Sequence, residues 1–191
     1  MREKRSSEQL MARVGAGDRK AASELVLRHQ RALLNFFYRY TNDPLLAEDL
    51  TQETFLRIYR AAPTYLPCAP FGVWLFRIAR NLCLNELKSR RYRRAQLDPG
   101  CSVADPEHAV ARAQLDERVR LAVRQLPERQ RLALVLRRFE GLSVSEVAQV
   151  METTTDAVDG LMARAASRLR ASLGDLLQEA AQAADAAVRR S

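Results

Sequence analysis

The sequence predicts an all-α protein of two small helical domains joined by a flexible linker. Three observations carry this reading. Leu, Ala, Arg and Glu dominate and alternating β-branched runs are absent, which is the composition of helices and not of strands. Apolar residues recur at helical spacing between clear turn signals. Around residues 92–111 that period disappears, and Asp98-Pro99-Gly100 and Asp105-Pro106 break any helix.

The elements follow in order. A first helical stretch covers about residues 8–40, with a break at Gly15-Ala16-Gly17-Asp18. Asn42-Asp43-Pro44 is a turn, and Pro44 suits the first turn of a helix running to about Ala62. Pro63, Pro67 and Pro70 bracket a loop that cannot be helical, because each proline restricts the residue before it. The next helix is expected from Phe71 to about Arg91, and helix resumes near Arg112 as far as Gln125. After Leu126-Pro127, another helix covers about residues 128–139, followed by the turn Glu140-Gly141-Leu142. Ser143-Val144-Ser145-Glu146 is a capping box that opens a short helix to about Glu152. Thr153 to Thr155 then turn the chain into a long final helix. The expected domains are residues 8–91 and 112–173, with the linker at 92–111 and an Ala-rich tail at 174–191 that reads as a solvated, fraying helix.

With 191 residues, 47% of them apolar, the chain can bury two modest cores. Its longest aliphatic run, residues 132–136, is far short of a bilayer span, and no apolar stretch follows the charged start; these point to a soluble, cytoplasmic protein without membrane insertion. Cys68, Cys83 and Cys101 lack metal or disulfide spacing and read as free thiols, and only His29 and His108 could join them, so neither a metal nor another cofactor is expected. The net charge of +8 is unevenly placed. Residues 1–95 carry 18 Lys and Arg against 9 Asp and Glu, whereas residues 96–191 carry 13 against 14. The positive stripe of Arg77, Arg80, Lys88, Arg90, Arg91, Arg93 and Arg94 suits a polyanion such as nucleic acid, although cations at a helix C-terminus also need no ligand.

Three constellations carry chemistry. Val147, Ala148 and Met151 on a short helix face the stripe Val158, Leu161, Met162, Ala165 and Leu169 on a longer one, which is the helix-turn-helix pattern. Asp49, Gln52 and Glu53 share one helix face, with Leu46, Leu50, Phe55, Ile58 and Tyr59 packing elsewhere; this acidic patch in a basic domain suits docking, although a Glu53–Arg57 pair alone would also explain it. No His, metal set or Gly-rich loop joins these carboxylates, which argues against catalysis. The helix from Phe71 buries Phe71, Leu75, Ile78 and Leu82 and leaves Arg77, Arg80, Asn81 and Lys88 for a phosphate backbone. Tyr65 stands beside it as an exposed aromatic suited to stacking a base.

At these residues the chain resembles the extracytoplasmic-function sigma factors of bacterial RNA polymerase. The resemblance lies in Ala47-Glu48-Asp49-Leu50-Thr51-Gln52-Glu53-Thr54-Phe55, in the run from Phe71 to Asn81, in Leu126-Pro127-Glu128 and in the segment from Glu140 to Ala148. It covers about residues 8–173 and implies a σ2 bundle and a σ4 helix-turn-helix. It also implies that Asp49, Gln52, Glu53 and Phe55 dock on the β′ clamp helices of core polymerase. The 63–70 loop with Tyr65 would capture a flipped −10 base, with Asn81, Arg77, Arg80 and Lys88 on promoter DNA and Trp74 mainly structural. Region 4 would meet the β flap and the −35 element, and an anti-sigma factor is the expected regulator; no small-molecule substrate and no catalysis are implied.

One departure concerns the recognition helix. Where such proteins often carry basic and small polar residues, this chain has Ala157-Val158-Asp159-Gly160-Leu161-Met162. Asp159 repels phosphate and Gly160 weakens the helix by up to about 1 kcal/mol. The expected −35 face is therefore atypical: Thr154, Thr155, Asp156 and Asp159 toward the groove, with Arg138, Arg164 and Arg168 as cations. The rival reading is a stand-alone helix-turn-helix regulator, which leaves the acidic face and the aromatic loop without a task.

Overall fold

The structure is a computed structural model that describes residues 5–96 and 111–188, and helices and turns account for its regular structure; there is no strand among the described residues. Eight helices follow one another: α1 (Ser7–Gly15), α2 (Arg19–Thr41), α3 (Pro44–Ala61), α4 (Phe71–Gln96), α5 (Ala111–Gln125), α6 (Glu128–Leu134), α7 (Val144–Met151) and α8 (Thr155–Val188).

The caps are local and legible. Ser6 and Gln9 form a capping box on α1, Asp18 accepts from the Lys20 and Ala21 amides at the start of α2, and Asp43 accepts from Leu46 ahead of Pro44 in α3. Asn42 closes α2 in the left-handed conformation, at φ 56°. The start of α4 is capped from a distance: Glu8 on α1 accepts the Phe71 amide at 2.8 Å, and that bond holds the Glu8 carboxyl below its ordinary range. Gly15 is required by a close approach, because a Cβ there would lie 2.6 Å from the Ala62 carbonyl oxygen.

The first four helices enclose an aromatic core. Phe36 lies 5.3 Å, ring to ring, from both Phe37 and Phe76, with Tyr40, Leu33 and Leu75 also buried. Fully burying each such side chain contributes about 1.5–3 kcal/mol. Thr51 and Thr54 are buried on α3 and return their hydroxyls to the Ala47 and Leu50 carbonyls at 2.7 Å. The second four helices enclose a smaller, aliphatic core of Leu132, Val135, Leu136, Val147, Val150, Val158, Leu161 and Ala165.

Several expectations need correction. Helix α4 continues to Gln96 and α5 begins at Ala111, so the linker expected at 92–111 is helical at both ends; residues 97–110, Cys101 among them, lie outside the described residues. The proline loop opens with a 3-10 turn at Ala62–Thr64, where Pro63 sits in an N-terminal turn that needs no amide from it. The helix expected over residues 128–139 ends as a π turn, Val135–Phe139, in which the Glu140 amide reaches back to the Val135 carbonyl at 3.2 Å. Tyr59 is exposed, not packed. The tail, expected as helix, continues α8 to Val188.

The two halves touch. Helix α4 packs against α7, and α2 packs against the π turn and α5, so buried apolar residues of both halves form one continuous cluster.

Candidate nucleic-acid and polymerase interface

The acidic face is built by the register of α3. Ala47, Leu50, Thr51, Thr54 and Ile58 turn inward, which leaves Glu48, Asp49 and Gln52 exposed and Glu53 and Phe55 half-buried along the rim. Glu53 pairs with Arg57 at 2.7 Å, and Leu45, Leu56 and Tyr59 are large exposed apolar side chains on the same helix. This face of α3 thus exposes carboxylates beside large apolar side chains, and no grouping of His, Cys, Asp and Glu capable of holding a metal ion occurs among the described residues.

The aromatic loop departs from expectation. Tyr65 is not freely exposed: its ring lies 4.8 Å from Trp74 in an edge-on arrangement and 6.4 Å from Phe71. Its hydroxyl is buried without a hydrogen-bond partner, and burial raises its pKa. Apolar contact in this three-ring cluster holds the side chain against α4, while Leu66 beside it is 74% exposed.

The basic face of α4 is occupied by the other half of the chain. Arg77 donates to the Gln149 carbonyl at 3.3 Å, and Arg80 donates to the Val150 carbonyl at 3.2 Å and pairs with Glu152 at 3.1 Å. Asn81 is exposed. Lys88 lies on α4, but its side chain is outside the described residues.

The helix-turn-helix forms as the caps dictate. Ser143 and Glu146 complete the capping box of α7, and Glu152 turns the chain at φ 52°. Thr154 Oγ1 then accepts the Ala157 amide at the head of α8. Thr154, Thr155, Asp156, Asp159, Arg138, Arg164 and Arg168 are all exposed. The Arg164 guanidinium lies over Gly160, where an added Cβ would sit 3.3 Å from Nη1. The glycine leaves room for an arginine to fold along the helix.

Contacts between the halves also involve residues that the sequence did not single out. Arg39 stands over the Phe139 ring at 4.4 Å and reaches Glu140 at 3.5 Å, and Arg120 donates to the Tyr38 hydroxyl at 3.0 Å. Burial pushes the Glu140 carboxyl up to about 7, against the opposing pull of Arg39. No signal in the sequence joins these partners, which lie on separate helices.

Comparison with known proteins agrees with this geometry. Residues 25–93 match the family model described as sigma-70 region 2, and residues 116–169 match the one described as sigma-70, region 4. The chain therefore belongs to the sigma-70 family, in its extracytoplasmic-function group. It is 35% identical to the RNA polymerase sigma-H factor of Pseudomonas aeruginosa over 186 residues, covering 91% of this chain and 96% of that protein. It is 30% identical to the ECF RNA polymerase sigma-E factor of Escherichia coli, over 86% of this chain and 93% of the other. Among solved structures, CnrH in complex with the cytosolic domain of CnrY is similar with a TM-score of 0.69 and 27% identity, over 88% and 97% of the two chains.

Proposed function

We propose that this protein is an alternative sigma factor that binds core RNA polymerase and directs it to a particular set of promoters. The observation that carries the reading is the presence of region 2 and region 4 in one chain. Region 2 spans about residues 8–91 and region 4 about residues 112–173. The protein does no catalysis of its own and works in the cytoplasm, where polymerase and chromosome meet; no helix among the described residues is long and apolar enough to cross a membrane.

The division of labour follows the chemistry. Asp49, Gln52, Glu53 and Phe55 bind the β′ clamp helices, and region 4 meets the β flap. Arg77, Arg80, Asn81 and Lys88 hold −10 DNA, where each neutralised phosphate releases counterions. Tyr65 swings from the Trp74 cluster to stack an unpaired base, which contributes about 1–3 kcal/mol. Unstacking a base costs a few kcal/mol, so a preformed pocket beside cations traps the opened strand. Thr154, Thr155, Asp156 and Asp159 present the −35 end of α8, with Arg138, Arg164 and Arg168 on phosphates. CnrH was solved with the cytosolic domain of another protein, which supports an anti-sigma partner for this chain as well.

Gel filtration with purified core polymerase tests the reading. Stable co-elution at low ionic strength is expected. Separate elution, with the chain instead binding a duplex operator unaided, would favour the stand-alone regulator.

A further inference from the structure

The proline-bracketed loop is held at both ends by α1. At its start, Gly15 backs onto Ala62, where an added Cβ would lie 2.6 Å from the carbonyl oxygen. At its far end, the Glu8 carboxylate accepts the Phe71 amide at 2.8 Å, from 63 residues away in sequence. Both contacts belong to one helix of nine residues, Ser7–Gly15, so its length fixes the spacing between the ends of the loop. The loop cannot supply the second contact itself. The first amides of a helix need an acceptor from outside the ladder, usually a side chain just ahead of it. Here those positions are Ala69 and Pro70, which carry no side-chain oxygen, and Glu8 fills the place.

The bond has neighbours that hold it. Glu8 is half-buried, Ser7 Oγ beside it meets His29 Nε2 at 2.8 Å, and the His29 ring lies 4.9 Å from the Phe71 ring. Phe71 in turn lies 5.7 Å from Trp74 and 6.4 Å from Tyr65. The Glu8 charge reaches Tyr65 as well: after burial, it is the next cause that raises the pKa of that phenol. A continuous chain of contact therefore runs from α1 to the ring assigned to base capture.

We infer that Glu8 is a positioning residue for promoter opening: through the Phe71 amide it holds the 63–70 loop in register with α4, so that Tyr65 moves onto an unpaired base from a fixed frame. This role rests on the reading of the loop as the −10 element. A loop already ordered loses less conformational freedom when the base arrives, and the gain belongs to the opened state. The residues assigned to polymerase docking lie on another helix, α3, and should not need Glu8.

The test uses the full chain with four single substitutions. Glu8→Ala removes the acceptor, whereas Glu8→Gln keeps one in its amide oxygen. Gln9→Ala weakens the α1 capping box without touching the Phe71 amide, as the control for a loosened helix. Tyr65→Ala calibrates the loss of the aromatic contact. Trp74 is the sole tryptophan of the chain, so acrylamide quenching of its fluorescence reports the Tyr65–Trp74 contact. Permanganate reactivity of unpaired thymines in the holoenzyme, on a promoter fragment selected by run-off transcription, reports opening. Glu8→Ala is expected to raise Trp74 quenching toward the Tyr65→Ala value and to lower opening about fivefold, the scale of one lost helix cap. Glu8→Gln and Gln9→Ala should stay near the wild type in both readouts, and all four variants should co-elute with core polymerase. Unchanged Trp74 quenching in Glu8→Ala would overturn the positioning role. Gln9→Ala matching Glu8→Ala would overturn it too, leaving Glu8 a mere stabiliser of α1. If Trp74 is released in Glu8→Ala but opening is unchanged, Tyr65→Ala locates the fault. Normal opening there would overturn the −10 role of the loop, and impaired opening there would overturn only the part given to Glu8.

Discussion

Region 2 and region 4 solve the same problem, presenting a reading surface on a small helical core, with different materials. Region 2 rests on large rings, Phe36, Phe37, Tyr40, Phe71 and Phe76, and lies in the half of the sequence, residues 1–95, that carries 18 Lys and Arg against 9 Asp and Glu. Region 4 rests on Leu, Val and Ala, uses helices as short as α6 and α7, and lies in the half, residues 96–191, where 13 Lys and Arg meet 14 Asp and Glu. Short helices with an aliphatic core bury less area, and region 4 completes its burial partly against α2 and α4. By this measure region 2 is the firmer platform and region 4 leans on it.

The largest effect should come from reversing the platform's acidic face. Asp49→Arg is expected to weaken core polymerase binding by about 2 kcal/mol or more, at least roughly thirtyfold, because it places a like charge in a docking surface. Its melting temperature should stay within error of the wild type, since Asp49 is exposed; unaltered binding in a titration with core enzyme would remove the docking assignment.

Next is the platform's own rigidity. Gly15→Ala should cost about 1–3 kcal/mol in urea unfolding, because the added carbon meets the Ala62 backbone and not a flexible side chain. A neutral result would mean that the α1 end shifts freely and region 2 is less rigid than claimed. Tyr65→Ala should lower open-complex formation roughly tenfold while leaving core binding intact, as expected for the loss of one stacking partner. Permanganate reactivity of unpaired thymines measures the first and co-elution the second, and equal losses in both would deny the loop a special role.

The smallest effects distinguish the regions by sign. Glu140, in region 4, is raised from 4.5 to about 7 by burial, so the folded form holds its proton longer than the unfolded one. The stability it contributes is lost as pH rises from 4.5 through about 7. His29, in region 2, is lowered from 6.5 to about 4, first by burial and then by Arg28. Its contribution is present above 6.5 and lost as pH falls toward 4. Thermal melts across this range should therefore respond oppositely to Glu140→Gln and His29→Gln, the first flattening the fall in stability with rising pH and the second the fall with lowering pH. Parallel pH profiles for the two variants would show that neither group is buried as described.

Much of this architecture was legible in the residues because the caps are local. Asp18, Asp43 and the Ser143–Glu146 box mark helix starts within a few residues of the groups they satisfy. The acidic face was legible for the same reason, since period alone sorts Asp49 and Gln52 from Leu50 and Thr54. What escaped was contact across the chain. Nothing near Tyr65 announces that it folds onto Trp74, and nothing near Arg80 names Glu152 as its partner, more than seventy residues away. The π turn escaped as well, because one additional residue in a helical ladder leaves apolar spacing almost unchanged, yet it is adjacent to the Arg39 contact at Glu140. Two of these missed features, the Arg80 pair and the π turn beside the Arg39 contact, lie where the regions meet.

The central claim is that this chain gives core polymerase its choice of promoter. Run-off transcription from a pool of genomic fragments, with purified core enzyme and the full chain, tests it most directly. Discrete transcripts that require the chain, start downstream of a shared pair of sequence elements and vanish with Asp49→Arg are the predicted result; a transcript pattern identical to that of core enzyme alone would contradict it.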